Sequence, residues 1–350
     1  MSPVNTMRKQ SEVFLSALQE QIVAAFLERD PTLVPKRDSW TRPQGGGGAS
    51  CVLVGPGQDT AIEKAGVNTS TIHSVLTPTA AKQMGATHPS IPQSPQSDLP
   101  LYTTGISIVV HARNPHAPSV HMHLRYVEVI EPPQTDRTAA DGADEKVLAW
   151  WFGGSIDLTP TYIYEEDARH FHTTLKGVCD AHGGSALYRP LKNWCDEFFY
   201  IRHRQEARGI GGIFFRDLSD SKHARLDTDD AVAALRPKTQ EAIFAFVKDL
   251  GHAFLPSYLP ILERRKGMPA DRRAARWQSL RRGRYVEFYL TEAGTQYGLS
   301  TPGVRVESVL MGMPEMARWE YTSEMGTEVG TEEERTVQVL RTPRDWVHIP

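Results

Sequence analysis

From Ser119 to Val129 the chain reads SVHMHLRYVEV, with Val120, Met122, Leu124 and Tyr126 alternating against His121, His123 and Arg125. Successive side chains of a strand point to opposite faces. The alternation therefore predicts a strand with one apolar face toward a core and a second face carrying two imidazoles and a guanidinium. The preceding run GISIVVHA (105–112) alternates in the same way, with Ile106, Ile108 and Val110 on one side and Ser107, Val109 and His111 on the other. Between them RNPHAPS supplies two prolines and an asparagine, residues of a strand-to-strand turn. An antiparallel pairing of these strands would set Ser107 and His111 beside His121, His123 and Arg125.

Elsewhere the period changes to that of helices. Val13, Phe14, Ala17, Leu18, Ile22, Ala25 and Phe26 recur at helical spacing over 11–28, and further helices are expected over 165–182, 190–208 and 228–266. LAWWFGGSIDLTP (148–160) and the glycine-led RGIGGIFFRDL read as strands, as do GRYVEFYL and GVRVESVLM by their alternation. WTRPQGGGGASCVLV (40–54) joins four glycines to an apolar strand without the Gly-Lys-Ser/Thr of a phosphate loop, so a turn or close backbone approach is expected. Residues 77–105, with five prolines, are expected to form an irregular surface excursion, and 322–335 an acidic turn leading to a last helix. Strands and helices come in mixed runs without strict alternation, no repeat or linker interrupts them, and the fold class expected is α+β, a single domain over 1–350.

Composition narrows the function. Hydrophobic residues make up 40% and charged residues 23% of the 350, ordinary values for a globular protein. The net charge of −3 argues against a nucleic-acid binder, so an anionic ligand would have to be met by local cations. Three cysteines at 51, 179 and 195 form neither a disulfide framework nor a metal spacing. The first residues carry no signal- or transit-peptide pattern and no segment has the apolar length of a membrane span, so a cytoplasmic protein is expected.

The two-histidine, one-arginine strand face next to Ser107 suits a carboxylate substrate, because guanidinium grips carboxylate through two parallel hydrogen bonds and histidine exchanges protons near neutral pH. Asp157, after a double glycine, and Arg305 in STPGVRVES are further candidates. His111, His121, His172 and His203 are weak candidates for a metal site. His170 and His172 sit on different sides of a helix and cannot share one site.

Several blocks together resemble the oxygen-dependent coproporphyrinogen oxidase family: GGGGAS with IEKAGVN, GISIVVHARNPHAPSVHMHLRYVEV, WWFGGSIDLTPTY with EEDARHFH, KNWCDEFFYIRHR with RGIGGIFF, and RRGRYVEFYL with YGLSTPGVRVESVLM and RWEY. The resemblance implies a homodimer built on a large flat antiparallel sheet with helices on both sides. It implies oxidative decarboxylation of two propionates of coproporphyrinogen III to vinyl groups, with dioxygen as co-substrate and no organic cofactor. The family's proton-transferring histidine falls on His121. Its substrate contacts fall on Ser107, on His123, Leu124 and Arg125, and on Gly303, Val304 and Arg305, while Asp157 matches an acid that holds pyrrole N–H groups. Bacterial members carry metal-ligand histidines at positions matching His111, His121, His172 and His203, whereas animal and fungal members are regarded as metal-free. Three positions depart from the family pattern: His123 stands for an asparagine, Arg216 for one of two acids, and Glu292 for an aspartate. The charge of His123 is expected to depend on pH. The rival readings are a tetrapyrrole carrier, which would release its ligand unchanged, and a metal-dependent oxygenase.

Overall fold

The computed structural model describes residues 6–43, 45–86, 88, 90–92, 95–132, 145–294 and 305–348. The frame is a seven-stranded antiparallel sheet of β1 (Val34–Thr41), β2 (Gly46–Val54), β3 (Ile62–Leu76), β4 (Leu99–Ala112), β5 (Ser119–Ile130), β6 (Val147–Thr159) and β9 (Gly211–Leu218), in that spatial order. Every neighbour but the last follows directly in the chain, as antiparallel meanders do. β7 (Tyr200–Ile201) and β8 (Glu206–Ala207) form a separate short pair. The β4–β5 alternation is realised as expected: Val120, Met122, Leu124 and Tyr126 are at most 1% exposed on one face, and His121, His123 and Arg125 lie on the other.

The apolar face is covered by α1 (Met7–Arg29) and α6 (Gln240–Arg265), with α3 (Glu165–Gly183) packed outside α6. Gly251 of α6 marks the junction, since a Cβ there would meet Leu18 of α1 and Leu124 of β5. α1 starts earlier than the apolar period implied because Thr6 caps it, its hydroxyl accepting from the Lys9 N–H. The opposite face is roofed by α4 (Tyr188–Phe198) and α7 (Arg272–Phe288), joined by α8 (Val306–Leu310). α5 (Asp230–Leu235) and α9 (Glu332–Arg341) complete the described helices beside α2 (Pro78–Met84), and α9 follows the acidic turn as expected, capped by Thr331. This is the α+β sheet with helices on both sides.

Four local expectations are corrected. The 77–105 run is no uniform loop: Thr77 caps α2 (Pro78–Met84), and Leu99 already pairs with Leu76, extending β3 and β4 together. GRYVEFYL is not a strand but the end of α7 and a π-turn, Tyr289–Gly294. Its burial at Trp277, Leu280, Arg281, Tyr285 and Phe288 follows helical spacing, so packing overrides the β-propensity of Tyr, Val and Phe. GVRVESVLM likewise contributes the short helix α8, and Val306 and Leu310 are exposed, so no sheet face is there to bury an alternating run. The helix expected over 190–208 stops at Phe198, after which the chain enters the β7–β8 turn with Gln205 left-handed at φ 55°. The four-glycine run is a turn with close approach: Gly45 and Gly46 have φ of 98° and 82°, and a Cβ on Gly48 would strike the Trp40 ring.

Candidate active site

Strand register assembles the site row by row. Directly paired residues of an antiparallel sheet share a face. Val109, His121, Asp157 and Gly212 form one row across β4, β5, β6 and β9; Ser107, His123, Ser155 and Phe214 form the next, and Gly105, Arg125 and Gly153 the third. Phe198 and Phe199 at the end of α4, and Tyr285, Phe288 and Tyr289 at the end of α7, lie over these rows. The result is a cleft of about 1100 Å³ including its open mouth, with an aromatic roof and a polar floor on which Ser107, His121, His123 and Arg125 meet. Such a mix of apolar wall and a few convergent polar groups is the usual make-up of a small-molecule site.

His121 is held by a chain of charge. Its Nδ1–H donates to Asp157 Oδ1 at 3.0 Å, and Asp157 Oδ2 accepts from the Arg208 guanidinium at 2.6 Å. Asp157 is 1% exposed. Burial opposes its ionisation, but Arg208 and the His121 hydrogen bond outweigh burial and leave the carboxyl below its usual range. Arg208 in turn lies over the Phe199 ring at 3.9 Å and the Phe288 ring at 4.9 Å. With Nδ1 committed to Asp157, Nε2 is the nitrogen through which His121 can exchange a proton in the cleft, the arrangement that orients an imidazole acid–base group.

His123 behaves differently from its neighbour. Burial, then the Arg125 cation beside it, push its pKa down to about 3, so it is a neutral hydrogen-bonding group at physiological pH, not the pH-dependent charge that its type suggests. Arg125 leans across Gly153, where a Cβ would come within 3.0 Å of its Nε. Glycine at 153 therefore leaves room for the Arg125 side chain to pass this close to the β6 backbone.

Other expected site residues are placed elsewhere. Leu124 points into the core, so only its backbone faces the rows of the site. Arg305 is not among the groups lining the cleft: it pairs with Asp38 and lies over the Trp40 ring at 4.8 Å, both on β1, three strands from β4. Gly303, Val304 and the side chain of Glu292 fall outside the described residues.

The four metal candidates do not converge. His111 accepts from the Ser119 hydroxyl and donates to the Gly312 carbonyl, both at 3.0 Å. His172 accepts from Tyr188 at 2.6 Å and donates to the Ile210 carbonyl at 3.1 Å. His203 sits in the β7–β8 turn, half exposed, donating to Glu287. Each is satisfied by separate partners, and among the described residues no group of three or more His, Cys, Asp or Glu is arranged to hold a metal ion. His170, on the other side of α3, donates to the Pro256 carbonyl, as the helical step requires.

Reading by pattern missed Arg208 and the aromatic roof, and it noted Arg216 only as a departure from the family pattern, whereas Arg216 lines the cleft beside Phe198 and Phe214. The signal for Arg208 was its place just before the GIGGIFF strand; the roof aromatics carried none, because their helices meet the sheet only in three dimensions.

The fold is an α+β sheet whose cleft sets an oriented histidine and an arginine on a polar floor beneath aromatic rings. The model of the family described as coproporphyrinogen III oxidase matches residues 10–346, and the chain belongs to that family. It is 42% identical over 343 residues to the human protein named "Oxygen-dependent coproporphyrinogen-III oxidase, mitochondrial", covering 97% of this chain and 67% of the relative. It is 42% identical to the "Oxygen-dependent coproporphyrinogen-III oxidase" of Drosophila melanogaster (97% and 78% covered) and 40% identical to a soybean protein of that name marked chloroplastic (98% and 80%).

Proposed function

We propose that this chain is an oxygen-dependent oxidoreductase that decarboxylates two propionates of coproporphyrinogen III to vinyl groups, yielding protoporphyrinogen IX for haem biosynthesis. Each turn consumes one propionic acid side chain and one dioxygen and releases one carbon dioxide and one hydrogen peroxide. The two hydrogens of the peroxide come from the carboxyl group and from the side-chain carbon that becomes unsaturated. The observation that carries this reading is the floor of the cleft, where the Asp157-oriented His121 and Arg125 sit under an aromatic roof in a chain of this family.

In this reading the aromatic roof stacks on the tetrapyrrole, and Arg125 with Ser107 and neutral His123 holds a propionate by charge-assisted and ordinary hydrogen bonds. His121 moves the proton through Nε2. Asp157, itself fixed by Arg208, holds that histidine's orientation, so the carboxylate acts through His121, not by touching the substrate. Arg305, paired with Asp38 on β1 and away from the cleft lining, is left out of this propionate grip. The electron-rich porphyrinogen supplies the electrons that dioxygen takes up, and no organic cofactor is part of the reading.

Finer points belong to the same proposal. The protein acts as a homodimer, supported by the exposed edge strand β1, and in the cytoplasm, supported by three buried free cysteines. Among the described residues no helix is long and apolar enough to cross a membrane. The test is product formation from coproporphyrinogen III by the pure protein with and without oxygen, in the presence and absence of a strong chelator. Vinyl product only with oxygen, at a rate the chelator leaves intact, is expected. Product without oxygen, or an unchanged ligand released, would overturn the reading.

A further inference from the structure

We propose that Arg216 is a second carboxylate anchor of this cleft, set beside Arg125 by a β-bulge at the end of β9; the inference rests on the cleft being the tetrapyrrole site. β6 and β9 pair Gly154 with Phe215 and Phe152 with Leu218, so two residues of β9, Arg216 and Asp217, face the single Gly153. Bulges of this kind bend a strand and re-aim a side chain. Asp217 takes up the extra residue in the left-handed region at φ 60°, and the Arg216 carbonyl is tied down by the His223 imidazole at 3.0 Å. The Arg216 backbone is thus held in place.

Its side chain then enters the cleft. The guanidinium lies 5.4 Å from the Phe198 ring and 5.2 Å from the Phe214 ring, both lining residues. Its Nε is buried without a hydrogen-bond partner, and no ion pair reaches Arg216 among the described residues. The neighbouring carboxylate, Asp217, is drawn off to His88, which donates to it at 3.2 Å while stacking 4.0 Å above Trp151. A guanidinium among aromatic rings with a donor unsatisfied is costly unless an anion completes it. The arrangement is incomplete by one acceptor, and it opens on the same floor as Arg125, whose Nε lies 3.0 Å from the place a Gly153 Cβ would take, with the Arg216 Cα 3.6 Å from that place. A ligand with several carboxylates can place one on each arginine. The class of group bound is a propionate of the tetrapyrrole, and Arg216 contributes to affinity and to preference for substrates with more carboxylates.

Coproporphyrin III, the oxidised and unreactive tetracarboxylate, serves as the probe for equilibrium binding, with KM and kcat measured on coproporphyrinogen III. Arg216→Ala is expected to raise Kd and KM about 10-fold or more with kcat within a few-fold, and Arg216→Lys to recover part, since an ammonium lacks the planar fork. Arg216→Gln keeps the stem on Phe198 and Phe214 and removes only the charge, so it decides the matter if the alanine variant does not fold. An Arg216→Gln protein that binds the probe as tightly as wild type, while Arg125→Ala binds weakly, overturns the proposal and leaves the cleft reading standing. Unchanged binding in both the Arg216 and Arg125 variants overturns the proposal together with the cleft reading.

Discussion

His121 differs from the twelve other histidines by what holds it: a carboxylate on Nδ1, itself fixed by a buried arginine, with the other nitrogen facing a cleft. His121→Ala is expected to lower kcat by ~10²–10⁴-fold while substrate affinity and thermal stability stay near wild type, the signature of a lost proton-transfer group. Activity within a few-fold of wild type would remove His121 from that role. His123 illustrates how environment replaces chemistry expected from residue type. Its pKa of about 3 keeps it neutral, so His123→Asn should leave the pH dependence of substrate affinity between pH 6 and 8 as it is. A profile that flattens in the variant would show that His123 does charge in that range. The alternation made both residues visible, but only the neighbours distinguish proton carrier from neutral donor.

Between β6 and β9 the site depends on backbone contact. Gly212 faces Asp157 directly, and a Cβ there would fall 1.9 Å from the Ile156 carbonyl oxygen and 3.0 Å from the Asp157 Cα. The strands can lie this close only with glycine at that position. Gly212→Ala is expected to destabilise the protein by ~1–3 kcal/mol, as overpacking does, and to reduce turnover by shifting Asp157 under His121. A denaturation midpoint and kcat both equal to wild type would show that β9 yields without strain. The glycines of RGIGGIFF were legible as strand punctuation, but the partner carbonyl was not, since β6 lies more than fifty residues earlier in the chain. The same holds for α7: its run Tyr285–Phe288 alternates like a strand locally and becomes a helix because the cleft needs its aromatic face against the sheet.

The whole molecule carries a store of acid sensitivity. His111 and His172 are buried and His123 is partly buried on the cleft floor, and loss of water first of all pushes each pKa down to about 3, against 6.5 for the ordinary group. The folded state therefore holds fewer protons than the unfolded chain between those values. Their contribution to stability is fully present above pH 6.5 and is lost as pH falls from there toward 3, by about 1.4 kcal/mol per pH unit for each proton difference. Denaturant midpoints measured from pH 7 to pH 4 should fall steeply, and His172→Gln should reduce the slope by one proton although the variant starts less stable. An unchanged slope in that variant would mean His172 charges in the native state. Glu287, lowered to about 2 against burial by Arg204 and His203, adds loss only below the ordinary carboxylate range.

The sequence by itself determined which residues share a face, because the two-residue period of a strand and the 3.6-residue period of a helix are properties of the local backbone. That is why the floor residues Ser107, His121, His123 and Arg125, the apolar side of β5, α1, α3 and the α+β class were legible from pattern alone. Tertiary structure decided which faces meet: that β6 lies beside β5 and puts Asp157 under His121, that Arg208 closes that pair, and that α4 and α7 roof the cleft. It also decided that Arg305 goes to Asp38 and that four histidines read together are held by separate partners, with His121 alone of the four lining the cleft. These outcomes depend on contacts between segments tens to hundreds of residues apart, whose energies come from burial and pairing that no local period encodes.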